Sequence, residues 1–174
     1  MALSAMFQFA FFAAFSVLCC LRITDAFSWK SCSANPDDDI IQVKEFKITP
    51  EIISLDGSVT LSAVVDVKKQ LDGPIRVQED LQKSSGLLGG QAIPCHGKFG
   101  SCTFANACSE FPKLCPITSG VHTVQGYTYK LPPISAFVRW MAEGDYTGKI
   151  TISDSEGNQL ACISLSIQVV AGSS

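Results

Sequence analysis

Alternating apolar and polar side chains run through most of the chain. After the turn signal Asp56-Gly57, apolar residues occupy every second position from Val59 to Val67. A later segment, from Leu160 to Val170, places five apolar residues on one face: Ala161, Ile163, Leu165, Ile167 and Val169. A period of two residues is typical of a β-strand with one buried face. The pattern therefore predicts an all-β protein.

Four further strands are predicted between short turns. They cover residues 40–48, 75–81, 124–131 and 146–153, and the first of them ends before Pro50. Because strand signals recur and no stretch has a helical period of useful length, we expect an antiparallel, immunoglobulin-like β-sandwich. The segment from Asp154 to Asn158 is rich in residues that tolerate positive φ, and it predicts a hairpin turn between the last two strands.

The strand at 75–81 follows the turn signal Asp72-Gly73-Pro74, so we expect it to pair antiparallel with the strand at 59–67. Glu79 is the oddity there, because it occupies a position on the apolar face. The alternating residues have two interpretations: they fill an ordinary sandwich core, or the sheets splay and they line a cavity. Under the second interpretation, the strand residues of the cavity are Leu61, Ala63, Val65, Val77, Ile163 and Leu165.

An apolar segment near the amino end predicts a signal peptide. Residues Ala5 to Leu21 are apolar almost without interruption, and Gln8 is the only strongly polar residue among them. Small residues suit cleavage after Ala26. The alternative is a retained amino-terminal anchor, since the apolar stretch is close to the lower limit for a membrane span. We expect residues 1–26 to be a signal peptide and residues 27–174 to form one domain on the secretory pathway.

Six cysteines follow the predicted signal peptide, an even number that favours disulfide bonds in an oxidising compartment. Their spacing favours two short loops, Cys95 with Cys102 and Cys108 with Cys115, which leaves Cys32 for Cys162. A zinc site is the alternative use of these thiols, but no Cys-x-x-Cys pair occurs. We therefore expect three disulfide bonds and no metal.

Composition and motifs argue against nucleic-acid binding and catalysis. The formal net charge is −3, and no basic cluster could neutralise a phosphate backbone. His96 and His122 lie outside any known catalytic motif, and His96 is expected to be a surface turn residue. The run Asp37-Asp38-Asp39 lacks the alternating ligands and central glycine of a calcium loop, which favours a solvated turn. We expect a protein that is not an enzyme and that needs no cofactor.

Two segments carry bulky apolar residues where a soluble surface would have polar ones. Leu87 and Leu88 lie among glycines and serines, which suits a mobile tip that enters a bilayer or covers an apolar opening. The second segment begins with two prolines that prevent regular strand pairing, and it supplies the other rim candidates: Ile134, Phe137, Val138, Trp140 and Met141. The alternative is that this segment folds back onto the core. If both segments lie at one end, they form a portal for a lipid.

Five short motifs occur in a defined order along the chain. They are Phe27-Ser28-Trp29-x-x-Cys32, Gly57-x-Val59-Thr60-Leu61-Ser62, the segment from Pro94 to Phe104, Trp140-x-x-x-Gly144-x-Tyr146, and Gly157-x-x-Leu160-x-Cys162-Ile163. Together with the cysteines, they resemble the sphingolipid-activator branch of the ML lipid-recognition domain family. The resemblance implies a cup-shaped β-sandwich with an apolar cavity, which lifts a glycolipid or phospholipid from a membrane and presents it to a hydrolase. It also implies the same three disulfide pairs, and rim positions for Leu87, Leu88, Trp140 and Met141.

The sequence departs from that family pattern near the face expected to contact an enzyme. The activators have a further disulfide bond after the position of Cys115, and this chain has no cysteines to make it. Ser58-Val59-Thr60 stands where they have a glycosylation acceptor, and no Asn-x-Ser/Thr occurs here. We therefore expect a glycosphingolipid or phospholipid ligand and transient contact with a membrane surface, in the lysosomal lumen or outside the cell. A lysosomal glycosidase partner is implied by the resemblance alone.

Two other functions are alternatives to lipid carriage. A secreted β-sandwich interaction module would bind a receptor or a sugar through its loops, and its core would be filled. A lipid hydrolase would need a nucleophile and a base, for which the sequence has no motif.

Overall fold

The computed structural model describes residues 26–84, 90–97, 99–112, 115–131, 135 and 141–172. Within these ranges the chain forms ten strands and almost no helix, so the predicted all-β class is confirmed. The strands are β1 (Phe27–Ser31), β2 (Ile41–Thr49), β3 (Ile52–Ser54), β4 (Ser58–Val67), β5 (Arg76–Ser84), β6 (Gly90–Ala92), β7 (Thr103–Phe104), β8 (Gly120–Lys130), β9 (Gly144–Ser153) and β10 (Gln159–Val170). A 3-10 turn (Pro36–Asp38) and a one-turn helix α1 (Ala107–Glu110) lie between strands.

The strands form two sheets that make a sandwich. The larger sheet has the order β1-β10-β9-β5-β6, with β3 beside β10 and β7 beside β5. The smaller sheet has the order β2-β4-β8. All of the pairings are antiparallel except that of β3 with β10. The predicted antiparallel sandwich is thus confirmed, and the predicted hairpin at Asp154 to Asn158 joins β9 to β10.

The expected pairing of the strands at 59–67 and 75–81 is wrong. β4 pairs with β2 and β8, whereas β5 lies in the other sheet beside β9. The segment between β4 and β5 crosses from one sheet to the other, because it forms hydrogen bonds with residues outside both strands. Leu71 N donates to the Ile117 carbonyl over 2.9 Å, and Ala107 N donates to the Ile75 carbonyl over 2.7 Å. The turn signal Asp72-Gly73-Pro74 therefore marks a crossover and not a hairpin.

Two bulges keep the apolar residues of the smaller sheet on one face. In β2, Val43 pairs with Val65 and Phe46 pairs with Ala63, so β2 has one more residue than β4 in this stretch. In β8, one extra residue separates Val124 from Tyr127 relative to β4, and Gly126 adopts a φ of 68° there. An extra residue in one strand changes the face to which the following side chains point. Here it places the apolar residues on both sides of the bulge on the same face of the sheet.

The three predicted disulfide bonds are confirmed. Cys32 bonds to Cys162 and ties β1 to β10, while Cys95–Cys102 and Cys108–Cys115 each close a loop of separation 7. Beside the long bridge, Cys32 N donates to the Cys162 carbonyl over 3.0 Å. No helix in the described part of the chain is long and apolar enough to cross a membrane.

Candidate functional site

The inner face of the larger sheet consists of rows of paired side chains. Directly paired residues of neighbouring strands share a face. One central row is Glu79, Ile150 and Ile163, and the next is Leu81, Gly148, Leu165 and Trp29. Leu81 packs against buried core residues, which identifies this face as the inner one. The predicted cavity residues Val77, Ile163 and Leu165 all lie on it.

The smaller sheet presents matching rows. Val65 lies between Val43 and His122, Ala63 between Phe46 and Val124, and Leu61 between Ile48 and Tyr127. Leu61 and Phe46 pack against buried core residues, so these rows also face inward. The structure therefore places all six predicted strand residues of the cavity on the two facing walls.

In the part of the chain that the structure describes, two clusters of buried residues lie at opposite ends of the sandwich. The first, which we call the rim-end cluster, consists of Ile48, Ile53, Leu55, Val59, Tyr146 and Val169. The second, the bridge-end cluster, consists of Ile41, Leu160 and Ala161, next to the Cys32–Cys162 bond. Between the clusters the central-row residues Ala63, Ile150, Ile163 and Leu165 are only half-buried. A filled core would bury these side chains, so the distribution of burial favours the cavity interpretation.

Small residues occupy the centre of each wall. Ala63 lies between the larger side chains of Phe46 and Val124. Opposite Leu165, Gly148 has no side chain, and a Cβ built there would lie 3.0 Å from Leu165 Cδ1. Leu165 therefore occupies the space that any side chain at position 148 would need.

The sandwich is held together along one side by β1, β10 and β2. These strands contact one another across the two sheets. Phe27 and Trp29 meet Phe46 edge to face, with ring centroids 5.8 and 6.4 Å apart, a geometry that aromatic pairs favour. A pocket of about 140 Å³ lies on this side, and its lining includes Trp29, Val43 and Ile163. Val43 and Ile163 border this pocket from the two sheets, and the polar residues Asp37, Gln42 and Lys44 also line it.

The opposite side is bordered by β8 and carries exposed apolar residues. Val124, Tyr127 and Tyr129 lie on the inner face of β8, yet their exposed fractions are 37, 56 and 38%. The sequence pattern did not identify these three as residues of the inner wall. The available signal was Gly126, which breaks the alternation of this strand and marks the bulge that aligns Val124 with Tyr127.

The predicted rim residues lie mostly outside the described ranges. This applies to Leu87, Leu88, Ile134, Phe137, Val138 and Trp140, whose roles stay predictions. The described exception is Met141, which is 46% exposed. The strands that flank the two predicted rim segments lie side by side, because Lys83 pairs with Tyr146 and Lys83 Nζ donates to the Met141 carbonyl.

Tyr146 also anchors the chain next to the rim. Its hydroxyl donates to the Ala142 carbonyl over 2.7 Å, and Lys83 Nζ lies 6.0 Å from the centre of its ring, within range of a cation–π contact. Burial raises the pKa of Tyr146, so the phenol keeps the proton that it donates. The start of β9 is thereby fixed relative to β5.

The acidic turn and His96 lie away from the inner walls, whereas His122 lies on the inner face of β8 beside Val65. Asp37 and Asp38 are exposed in the 3-10 turn, as expected of a solvated segment. His96 is exposed in the loop closed by Cys95 and Cys102, as expected of a surface turn residue, and His122 Nε2 bonds to the Thr118 carbonyl over 2.6 Å. Among the described residues, no group of three or more His, Cys, Asp or Glu side chains could hold a metal ion.

Comparison with known proteins gives a family match over most of the chain. The model of the ML domain family matches residues 26–169. The ganglioside GM2 activator of Macaca fascicularis is 26% identical over 165 residues, which cover 83% of this chain and 84% of that protein. The ganglioside GM2 activator of Mus musculus is 25% identical over 159 residues, covering 80% and 79%.

A solved structure supports the fold. The Niemann-Pick type C2 protein of the Japanese carpenter ant superposes with a TM-score of 0.50 and covers 82% of this chain and 98% of its own. Its sequence identity is only 8%, so the likeness concerns the fold alone.

Proposed function

The chain belongs to the ML domain family, and from this premise we propose that it is a secreted or lysosomal lipid-binding protein. In this proposal it extracts a glycolipid or phospholipid from a membrane, carries it between its two sheets, and presents it to a hydrolase. Residues 1–26 act as the signal peptide, and residues 27–174 form the binding domain.

The observation that carries the proposal is the half-buried apolar wall between the two core clusters. Ile150, Ile163 and Leu165 on one wall and Ala63 and Val65 on the other are there only partly buried. Enclosing an acyl chain removes apolar surface from water on both sides of the contact, which is worth about 0.8 kcal/mol per buried methylene. A chain of many methylenes would therefore supply the burial that these walls lack.

The exposed side of β8 supports a route for the lipid. Tyr127 and Tyr129 combine an apolar ring with a polar hydroxyl, which suits the boundary between a bilayer and water. The strands that flank the two predicted rim segments lie side by side at Lys83 and Tyr146. We propose that Leu87, Leu88, Trp140 and Met141 touch the membrane surface while the acyl chains pass between the sheets.

Presentation to a hydrolase is the finer part of the proposal. Its support is the similarity to two ganglioside GM2 activators across about four fifths of the chain. A lysosomal glycosidase is the corresponding partner, and this chain would act without catalytic residues of its own.

Lipid binding is tested with protein purified from a secretory expression host. Organic extraction followed by mass spectrometry should recover a bound lipid, and vesicles should exchange labelled lipid with the protein. The variant Ala63→Phe fills the centre of one wall and should lower lipid uptake at least about tenfold. Thr123→Phe places the same ring on the exposed outer face of β8 and should leave uptake unchanged.

The outcomes separate lipid carriage from the other functions. Absence of both co-purified and exchangeable lipid would overturn the proposal and favour an interaction module. Lipid transfer without faster hydrolysis of a vesicle-bound glycolipid by lysosomal glycosidases would retain carriage and remove the presentation step.

A further inference from the structure

Glu79 is an acidic side chain on the apolar inner wall. It lies in the middle of β5, between Val77 and Leu81 on the same face, and directly opposite Ile150 of β9. Its backbone N–H donates to the Cys102 carbonyl over 2.8 Å, which fixes the strand at this point. The carboxyl group is half-buried among apolar neighbours.

The carboxyl group lacks a charged partner within the described ranges. The ion pair found there joins Lys47 to Glu45 on β2. On the inner faces, the ionisable side chains are Lys83 and Tyr146 at the rim end, and His122, Tyr127 and Tyr129 on β8. Lys83 is four residues from Glu79, about 13 Å along an extended strand. β6 and β7 have no ionisable side chains.

The surroundings of Glu79 make ionisation of its carboxyl group less favourable than in water. Burial raises the pKa of this carboxyl group above the ordinary value of 4.5, because an ionised carboxylate loses hydration against apolar neighbours. A hydrogen-bond donor brought to the site would offset this loss. The adjacent Asp80 differs, since it accepts a hydrogen bond from Gln78 on the outer face of the same strand.

We propose that Glu79 is the polar contact within the lipid site and selects lipids whose backbone carries N–H or O–H donors over lipids whose backbone carries only ester acceptors. The inference rests on the proposed lipid-binding function and adds the class of lipid that the site prefers. β8 borders the exposed side of the sandwich, and in the other sheet β5 lies near the same side, next to β6 and β7. The polar backbone of a lipid would lie there while its chains reach the central rows.

The selectivity follows from the hydrogen-bonding capacity of a carboxyl group. An ionised carboxylate only accepts, so it bonds to an amide N–H or a hydroxyl and repels an ester carbonyl oxygen. A protonated carboxyl group also donates, so it accommodates both kinds of lipid. The preference for donor lipids should therefore be strong at neutral pH and weaken in acid.

The test uses two lipids that share a headgroup. Sphingomyelin has an amide N–H and a hydroxyl in its backbone, while phosphatidylcholine of matched chain length has two esters there, and both carry phosphocholine. Transfer of each labelled lipid from neutral vesicles to the full-length secreted protein is measured at pH 7.5 and 4.5. We expect a preference for sphingomyelin of about tenfold at pH 7.5, reduced severalfold at pH 4.5.

Two variants identify the group responsible. Glu79→Gln is neutral at both pH values, so its preference should not change with pH. Asp80→Asn removes a charge one residue away on the opposite face and should keep the pH dependence of the parent protein.

Two results would overturn the role of Glu79 while lipid binding stands. In the first, both lipids bind the parent protein and the ratio of their affinities is the same at the two pH values. In the second, this ratio changes with pH in Glu79→Gln as it does in the parent. If neither lipid binds, both proposals fall. Circular dichroism of each variant establishes that it is folded under the assay conditions.

Discussion

Removing the Cys32–Cys162 bond should cost much more stability than removing a short bridge. The long bond joins residues 130 positions apart, whereas Cys95–Cys102 joins residues 7 apart. A cross-link lowers the conformational entropy of the unfolded chain, and the loss increases with the logarithm of the number of residues in the loop that it closes. The chain-entropy relation gives about 5 kcal/mol for the long loop and about 2 kcal/mol for the short one.

The two bonds form a matched pair for this comparison. Each bond has one buried member, Cys162 or Cys102, which is 2% exposed, while the other member is half-buried in Cys32 and exposed in Cys95. Replacing both members of a pair by alanine avoids a buried hydroxyl group. The difference of about 3 kcal/mol between the two double variants therefore reports loop length.

Urea unfolding monitored by circular dichroism provides the measurement. The free energy of unfolding in water and the slope with denaturant should both be fitted, because the released chain also expands in the unfolded state. Equal losses of stability in the two double variants would refute the reasoning, since local packing and not chain entropy would then dominate.

Three further predictions concern the cavity wall and two carboxyl groups. Gly148→Val should lower lipid uptake from vesicles about tenfold, because the new side chain competes with Leu165 for space; unchanged uptake would contradict the cavity. Burial raises the pKa of Glu79, so the folded state binds its proton more tightly than the unfolded state, and unfolding free energy should fall as pH rises from about 4.5 through the raised pKa. Urea unfolding should show that Glu79→Gln lacks this change, and an identical pH dependence in the variant would be inconsistent with it. Hydrogen bonding from Asn158 lowers the pKa of Asp154. The stabilisation of the turn by ionised Asp154 is therefore present above the ordinary pKa of 3.8 and lost as pH falls through the lowered value. Carboxyl NMR titration of Asn158→Ala should give a higher pKa for Asp154.

Strand positions and facing could be predicted where alternation is unbroken. The apolar residues of β10, from Ala161 to Val169, lie on one face as the pattern indicated. The sheet to which β5 belongs could not be predicted, because the turn signal after β4 does not reveal whether the next strand stays in the same sheet. Hydrogen bonds from distant residues at Leu71 and Ile75 determine that crossover.

The cavity was harder to predict than the sandwich. Alternating residues such as Ala63 and Leu165 have the same pattern in a filled core and in an open one, and only the spacing of the sheets distinguishes the two. Tyr127 and Tyr129 were missed for the same reason, since their exposure depends on what covers β8. Glu79 was the informative exception, because its charge on an apolar face was visible in the sequence.

The bulge at Gly126 also affects how this protein meets other chains. β8 is the last strand of the smaller sheet and has eleven residues, so a regular β8 would offer a long template for strand pairing between molecules. The bulge divides the strand into two short segments whose hydrogen-bonding groups no longer follow one register. A straight foreign strand can therefore align with only one segment at a time. We therefore expect Gly126, which aligns the apolar wall, also to disfavour strand pairing between molecules at this edge.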